Sequence, residues 1–168
     1  MTLLTTQIRR ARPDDAAAIA AVHETSWMQA YGGVLPHGAL RTMVGRRDVS
    51  WWRRAIRQST RVLALDVGGE VAGYATIGPN RVKSLPQAGE VYELYLAPRF
   101  QGVGFGRTLF LSARQDLRAG GRRGCVVWVL EDNEPAVRFY ENAGGRDVAE
   151  GSETFDGRVL NKIAYAFD

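Results

Sequence analysis

Apolar positions recur first with the period of a helix and later with that of a strand. Residues 2 to 10 read as a strand that ends at "ARPDD". Ile19, Val22, Ser26 and Ala30 then fall on one side of a helix over about 15 to 31, with Asp14 or Asp15 as cap and Gly32-Gly33 as stop. A second helical region breaks near Gly45 and resumes at "VSWWRRAIRQ". There Trp52, Ala55 and Ile56 face inward, and Arg53, Arg54 and Arg57 face outward.

From residue 61 the pattern changes. "RVLALDV", the turn "GGE" and "VAGYATIG" predict a hairpin. "EVYELYLA" predicts a strand with Val91, Glu93 and Tyr95 on one face and Tyr92, Leu94 and Leu96 on the other, ended by Pro98. A helix over about 104 to 119 buries Phe105, Leu109, Ala113 and Leu117 and closes at Gly120-Gly121. "CVVWVL" is a buried strand. "DNEPAVRFYENAGG" is a short helix with Asn133 as cap, Pro135 in the first turn and Gly144 at its end. One or two strands follow, "RVLNKIAYAF" being the strongest. This order predicts a mixed α/β domain spanning 1–168, with an antiparallel start and a late strand–helix–strand crossover.

The densest chemistry lies in "RFQGVGFGRTLF", where Gly102, Gly104 and Gly106 join a strand to a helix. A helix N-terminus offers unpaired N–H groups and partial positive charge, so this segment suits an anion. A triphosphate loop needs Gly-Lys-Ser/Thr, which is missing. A dinucleotide fingerprint counted from Gly102 needs a third glycine at 107, which is arginine. A dinucleotide site and a tight strand-to-helix turn with no ligand stay open on these residues alone, beside an anion cradle of another kind.

Charge and composition narrow the partners. The chain of 168 residues carries 22 Lys+Arg against 18 Asp+Glu, a net +4. The basic residues are nearly all arginines, scattered in ones and twos, with lysine only at Lys83 and Lys162. No basic block is interleaved with aromatics, so nucleic acid is not an expected partner. No apolar stretch has the length of a membrane span and no leader pattern opens the chain, so a cytoplasmic location is expected. The one cysteine, Cys125, rules out an internal disulfide and reads as a structural thiol. His23 and His37 lack partners at metal spacing, so no metal is expected.

"QGVGFG" resembles the Q/R-x-x-G-x-G/A signature of the GNAT superfamily of N-acetyltransferases. "VYELYLAP" is similar to the strand before it, the family's fourth. "NEPAVRFYENAGG" resembles its second motif, N-x-x-A-x-x-F-Y-x-x-x-G, at the matching spacing. The resemblance covers essentially the whole chain. It implies a central, mostly antiparallel twisted sheet of six to seven strands. About four helices would flank it, and it would splay between the fourth and fifth strands. It implies acetyl-CoA as cosubstrate and acetyl transfer to a small-molecule amine or a protein or peptide amine. Direct attack in a ternary complex is the implied route. Because family members are often dimers, it leaves a homodimer open.

Carried over by position, the resemblance places Leu94, Tyr95 and Leu96 beside the pantetheine arm. It places the amides of Gly102, Val103, Gly104, Phe105, Gly106 and Arg107, preceded by Gln101, at the pyrophosphate. Asn133 would contact the cofactor and Tyr140 would sit near its sulfur. At pH 7 only about one alkyl amine in a thousand is neutral, a cost on the order of 4 kcal/mol, so a base is needed. Glu93 is the candidate; Glu90 and a water chain are the alternatives. Some members carry a glutamate five residues before the equivalent of Asn133, where this chain has Trp128. Tyr140 is the candidate acid, since a phenol stays protonated at neutral pH. Trp27, Tyr31 and Trp128 are candidates for an aromatic wall around the amine. Segments 78–89 and 151–157 are candidates to border it. The family usually has Gly-Phe where this chain has Gly144-Gly145, so weaker packing is expected there. A coenzyme A-binding sensor without efficient catalysis is the alternative from another class.

Overall fold

The computed structural model describes residues 4–58 and 61–168. Positions 2 and 3 of the expected first strand lie outside the described residues. The strand itself, β1, is Thr6–Arg10. It begins late because its partner β2 (Arg61–Val67) runs out at the Gly68-Gly69 turn, where the Gly68 N–H donates to the Thr5 carbonyl at 2.8 Å.

The helix α1 (Ala16–Tyr31) is followed by α2 (His37–Gly45) and α3 (Val49–Arg57), so the broken helical region is two separate helices. Asp15 stands at the start of α1 but does not cap it with its side chain. Its carboxylate instead accepts from the Arg9 guanidinium at 2.7 and 3.1 Å and from the Arg12 N–H at 2.7 Å. Charge-assisted bonds of this kind outcompete a neutral cap, and the Arg9 bonds hold the Asp15 carboxyl below its usual range. Asp48 does cap α3, accepting from the Trp51 N–H at 2.8 Å.

Strands β3 (Glu70–Pro79), β4 (Gly89–Leu96), β5 (Cys125–Leu130), β6 (Arg146–Phe155) and β7 (Arg158–Phe167) complete one sheet, with α4 (Phe105–Ala119) and α5 (Glu134–Asn142) between them. The seven strands lie in the order β1-β2-β3-β4-β5-β7-β6. Every neighbour is antiparallel except β4 and β5, which are parallel and joined through α4. One sheet face packs Leu63, Leu65 and Ile77 against Leu109, Phe110 and Leu117 of α4 and against Tyr140 of α5. The other packs Val62 and Tyr74 against Ile19 and Val22 of α1 and Trp52 of α3. Phe105 is half-buried and Phe110 takes the deep position that the helix period assigned to it.

The face assignment along β4 needs a correction. Ile77 pairs with Val91 and Thr76 pairs with Glu93, so Tyr92 is an extra residue opposed by none. This bulge reverses the alternation. Val91 falls in the core with Leu94 and Leu96, while Tyr95 packs against the opposite cluster around Tyr74. No helix among the described residues is long and apolar enough to cross a membrane.

Candidate active site

The bulge lies where β4 leaves β5. The two strands pair only over Gly89↔Cys125, Glu90↔Val126 and Val91↔Val127. Past that point they diverge, and a cleft of about 350 Å³ fills the gap. Leu94, Tyr95 and Leu96 form one wall and Val127, Trp128 and Val129 the other. A strand edge without a partner keeps free backbone donors and acceptors, so an extended ligand with amide groups can pair there. The Leu96 carbonyl is already engaged: it accepts from Ser26 Oγ at 3.2 Å and Gln101 Nε2 at 3.0 Å. Gln101 also reaches Gln29 Oε1 at 3.2 Å. Gln101 thus fastens the glycine loop to β4 and α1.

The loop that follows has the form of an anion cradle. Gly102 has φ +79° and Gly104 φ +95°, a left-handed conformation that other residues adopt only under strain. A Cβ built on either would meet nothing within 4 Å, so it is the backbone angle and not crowding that calls for glycine. Gly104 is the N-cap of α4, and Thr108 is the first amide to bond back, to the Gly104 carbonyl at 3.2 Å. No backbone acceptor is found among the described residues for the amides from Gly102 to Arg107. Six N–H groups in succession, including the exposed Val103 and Arg107 and the half-buried Phe105 and Gly106, therefore stand at the start of a 15-residue helix. These features fit a pyrophosphate at the mouth of the cleft.

α5 supplies the cleft's third side. Pro135 fixes its first turn, and Asn133 Oδ1 caps it by accepting from the Ala136 N–H at 3.3 Å. Asn133 Nδ2 reaches the Tyr31 hydroxyl at 3.4 Å. Asn133, Ala136 and Tyr140 all line the cleft, as residues two turns apart on one face should. Tyr140 is 5% exposed, boxed by Phe139, Phe110 and Phe167 at ring distances of 4.9, 5.4 and 6.4 Å. Burial pushes its phenol pKa well up. No hydrogen-bond partner for its hydroxyl is found among the described residues.

The helix ends in a Schellman motif: the Gly144 N–H donates to the Glu141 carbonyl and the Gly145 N–H to the Tyr140 carbonyl, at 3.0 and 2.9 Å. The expected loosening behind Gly145 is not found. A Cβ on Gly145 would lie 2.8 Å from Phe167 Cζ and 2.8 Å from the Tyr140 carbonyl oxygen. The Phe167 ring, arriving from β7, fills the space next to Gly145.

A second cavity of about 460 Å³ adjoins the first and shares Tyr31, Tyr92, Glu93, Tyr95 and Trp128 with it. Trp27 lines this second cavity, its ring 4.9 Å from that of Tyr31. The three aromatics picked out in the sequence therefore border one space. Arg81 and Val82 of segment 78–89 contribute to its wall. So do Glu153 and Phe155, which belong to the end of β6 rather than to a loop.

The two candidate bases differ sharply. Glu90 is 1% exposed and bound to Arg81, whose backbone N–H, Nε and Nη2 all donate to it at 2.6 to 3.3 Å. Glu93 sits where the two cavities meet. Its Oε1 accepts from Arg47 Nη1, and its Oε2 accepts from the Tyr74 hydroxyl at 2.8 Å. Arg47 and Tyr74 carried no signal in the sequence. Arg47 lies in the short link between α2 and α3, 46 residues from Glu93, and Tyr74 is only one letter of the hairpin strand "VAGYATIG".

His23 also lines the second cavity, one turn before Trp27, and is 2% exposed. Burial pushes its pKa down to about 4; the Glu93 carboxylate opposes this and Arg47 reinforces it. Unfolded, the imidazole titrates near 6.5. The folded state therefore binds fewer protons, and stability is lost as pH falls from about 6.5 to about 4. The loss expected from this group is on the order of 3 kcal/mol. Urea unfolding across that range should show a steeper decline for the native chain than for His23→Leu. Parallel profiles would contradict it.

Residues 20–144 match the family described as Acetyltransferase (GNAT) family. The Bacillus subtilis protein YuaI, an uncharacterized N-acetyltransferase, is 31% identical over 156 residues, which covers 93% of this chain and 89% of YuaI. A mycothiol acetyltransferase of Pseudarthrobacter chlorophenolicus is 38% identical over 85 residues, 49% of this chain and 26% of that protein. Among solved structures, the PaiA N-acetyltransferase of Thermoplasma acidophilum, in complex with coenzyme A, superposes with a TM-score of 0.75 at 19% identity, covering 95% of this chain and 98% of that one. YncA of Salmonella typhimurium, a putative acetyltransferase with acetyl-CoA, gives 0.69 at 21% identity, covering 97% and 93%. With the sheet parted between β4 and β5 and the motif residues gathered around the gap, the chain belongs to the GNAT acetyltransferase family.

Proposed function

We propose that the protein transfers an acetyl group from acetyl-CoA to a primary amine by direct attack in a ternary complex. The observation that carries this reading is one cleft lined both by Gly106, from the run of amides without a backbone partner among the described residues, and by Tyr140. Coenzyme A and acetyl-CoA in the related structures, and the acetyltransferase names of the relatives, support it.

In this reading the amides from Gly102 to Arg107 hold the pyrophosphate, with Arg107 as an added cation. The β4 edge at Leu94, Tyr95 and Leu96 pairs with the pantetheine amides, and Asn133 lies alongside. Glu93 takes the proton of the incoming ammonium, directly or through water. A β4 amide donates to the oxygen of the thioester carbonyl as negative charge gathers there. The C–N bond forms as the C–S bond breaks, the leaving sulfur takes the Tyr140 proton, and the second proton shed by the new amide nitrogen returns through water to the Tyr140 oxygen. Tyr140 is protonated at neutral pH, as a donor must be; burial raises its pKa further, which secures the proton and makes the phenol the weaker acid. Trp27, Tyr31 and Trp128 wall the acceptor side.

The test is incubation with acetyl-CoA and a panel of amines, following free thiol. Thiol release that depends on the amine, with an N-acetylated product by mass, is expected. Tight acetyl-CoA binding without release for any acceptor would instead indicate a sensor.

A further inference from the structure

We infer that the second cavity takes a zwitterion, an α-amino acid with an apolar side chain, with Arg47 holding its carboxylate and Glu93 its ammonium. This deepens the acetyltransferase reading and rests on it for the fate of the amine.

The Arg47–Glu93 pair is the centre of the inference. The guanidinium lies over the rings of Trp51 and Trp52, its carbon 4.6 and 5.7 Å from their centroids. It is therefore held in place before any ligand arrives, which lowers the ordering cost of binding. Only Nη1 is committed to Glu93, so Nη2 and Nε keep free hydrogens among the described residues. Glu93 has two acceptor sites in use, one for Arg47 and one for Tyr74, out of roughly four on a carboxylate. Both groups line the same cavity. A cation and an anion side by side, each with capacity left, match a ligand whose ammonium and carboxylate are one carbon apart.

The other charges of the cavity are matched among themselves. Arg81 is bound to Glu90 at 2.6 Å, and Lys162 approaches Glu153 at 4.0 Å. A diamine would bring a second cation beside Arg47. A peptide N-terminus would offer Arg47 a neutral carbonyl in place of a carboxylate. Both leave the guanidinium poorly matched. Trp27, Tyr31, Met43 and Phe155 give the cavity an apolar flank beside those paired charges, and an apolar side chain fits there.

Glu93 also faces the first cleft, with Tyr140 in its wall. An amine resting on Glu93 is thus at the junction between the acceptor cavity and the thioester site.

The probes are L-phenylalanine, L-methionine and L-leucine, each beside its decarboxylated amine: phenethylamine, 3-methylthiopropylamine and isoamylamine. The amino acids are expected to exceed their amines in kcat/KM by about tenfold or more, the low end for losing one partner of a charge pair, because the Arg47 guanidinium is part-exposed. Arg47→Gln should reduce kcat/KM for the amino acids at least about tenfold more than for the amines. Calorimetric binding of L-phenylalanine in the presence of coenzyme A, weakened by Arg47→Gln, gives a readout that does not need turnover. Amines acetylated as well as the amino acids would overturn the inference and leave the acetyltransferase reading standing. Arg47-dependent binding without any acetylation would do the reverse. Neither turnover nor binding of the amino acids would also overturn it.

Discussion

Tyr140→Phe is expected to lower kcat by about a hundredfold or more, the usual scale for removing a general acid. The change deletes one oxygen and keeps the ring. Phe110, Phe139 and Phe167 hold that ring edge to face, and phenylalanine retains those contacts. The hydroxyl makes no hydrogen bond within the described residues, so its loss strands no buried partner. Stability should therefore change by no more than about 0.5 kcal/mol. Acetyl-CoA affinity should stay near native, because the β4 edge and the amides of 102–107 remain. Steady-state kinetics, calorimetric binding of acetyl-CoA and thermal melts separate the three. Native turnover would remove Tyr140 from the chemistry. A fall in affinity matching the fall in rate would make it a binding residue instead.

Gly145→Phe, which restores the pairing more usual in the family, is expected to destabilise this chain by about 3 kcal/mol or more, at the upper end of overpacking penalties. The Cβ alone would press on the Phe167 ring, on the Tyr140 carbonyl oxygen and, at 3.1 Å, on Tyr165 Cβ. The ring can shift; the carbonyl cannot without breaking the Schellman bond that ends α5. Because that carbonyl belongs to Tyr140, activity should fall together with stability. Urea denaturation measures the first effect, and a midpoint near that of the native chain would contradict it. Phe167→Ala in the same chain relieves one of the two closest contacts and should restore only part of the loss.

These two residues show where sequence patterns suffice. Period and punctuation locate most strands and helices, because an amphipathic helix and a buried strand each announce themselves over ten residues or so; the exposed strand β6 does not, and the sequence leaves one or two strands open there. The glycine loop is legible for the same local reason: positive φ at Gly102 and Gly104 demands glycine whatever lies beyond. The faces of β4 were not legible. A bulge at Tyr92 leaves no mark in "EVYELYLA", since it depends on how β3 pairs alongside. The match of Gly145 to Phe167 joins positions 22 apart on separate elements, so a motif with its aromatic missing looks poorer than it is. Arg47 is the clearest case. It stands among several arginines, and only the fold brings it to Glu93. The choice of Asp15 for Arg9 rather than for its own helix is likewise a tertiary preference overriding a local one.

The short parallel contact between β4 and β5 has a thermodynamic consequence. Among the described residues, the strand ladder that joins β1–β4 to the three strands beyond is only three residue pairs long. The ligand proposed to lie along Leu94 to Leu96 would serve as a further length of ladder. Binding then extends the β4–β5 contact beyond its three pairs, and occupancy is linked to folding. Past saturation, each tenfold rise in free ligand should add about 1.4 kcal/mol to the stability of the chain, felt most along the two strand ends that face the gap.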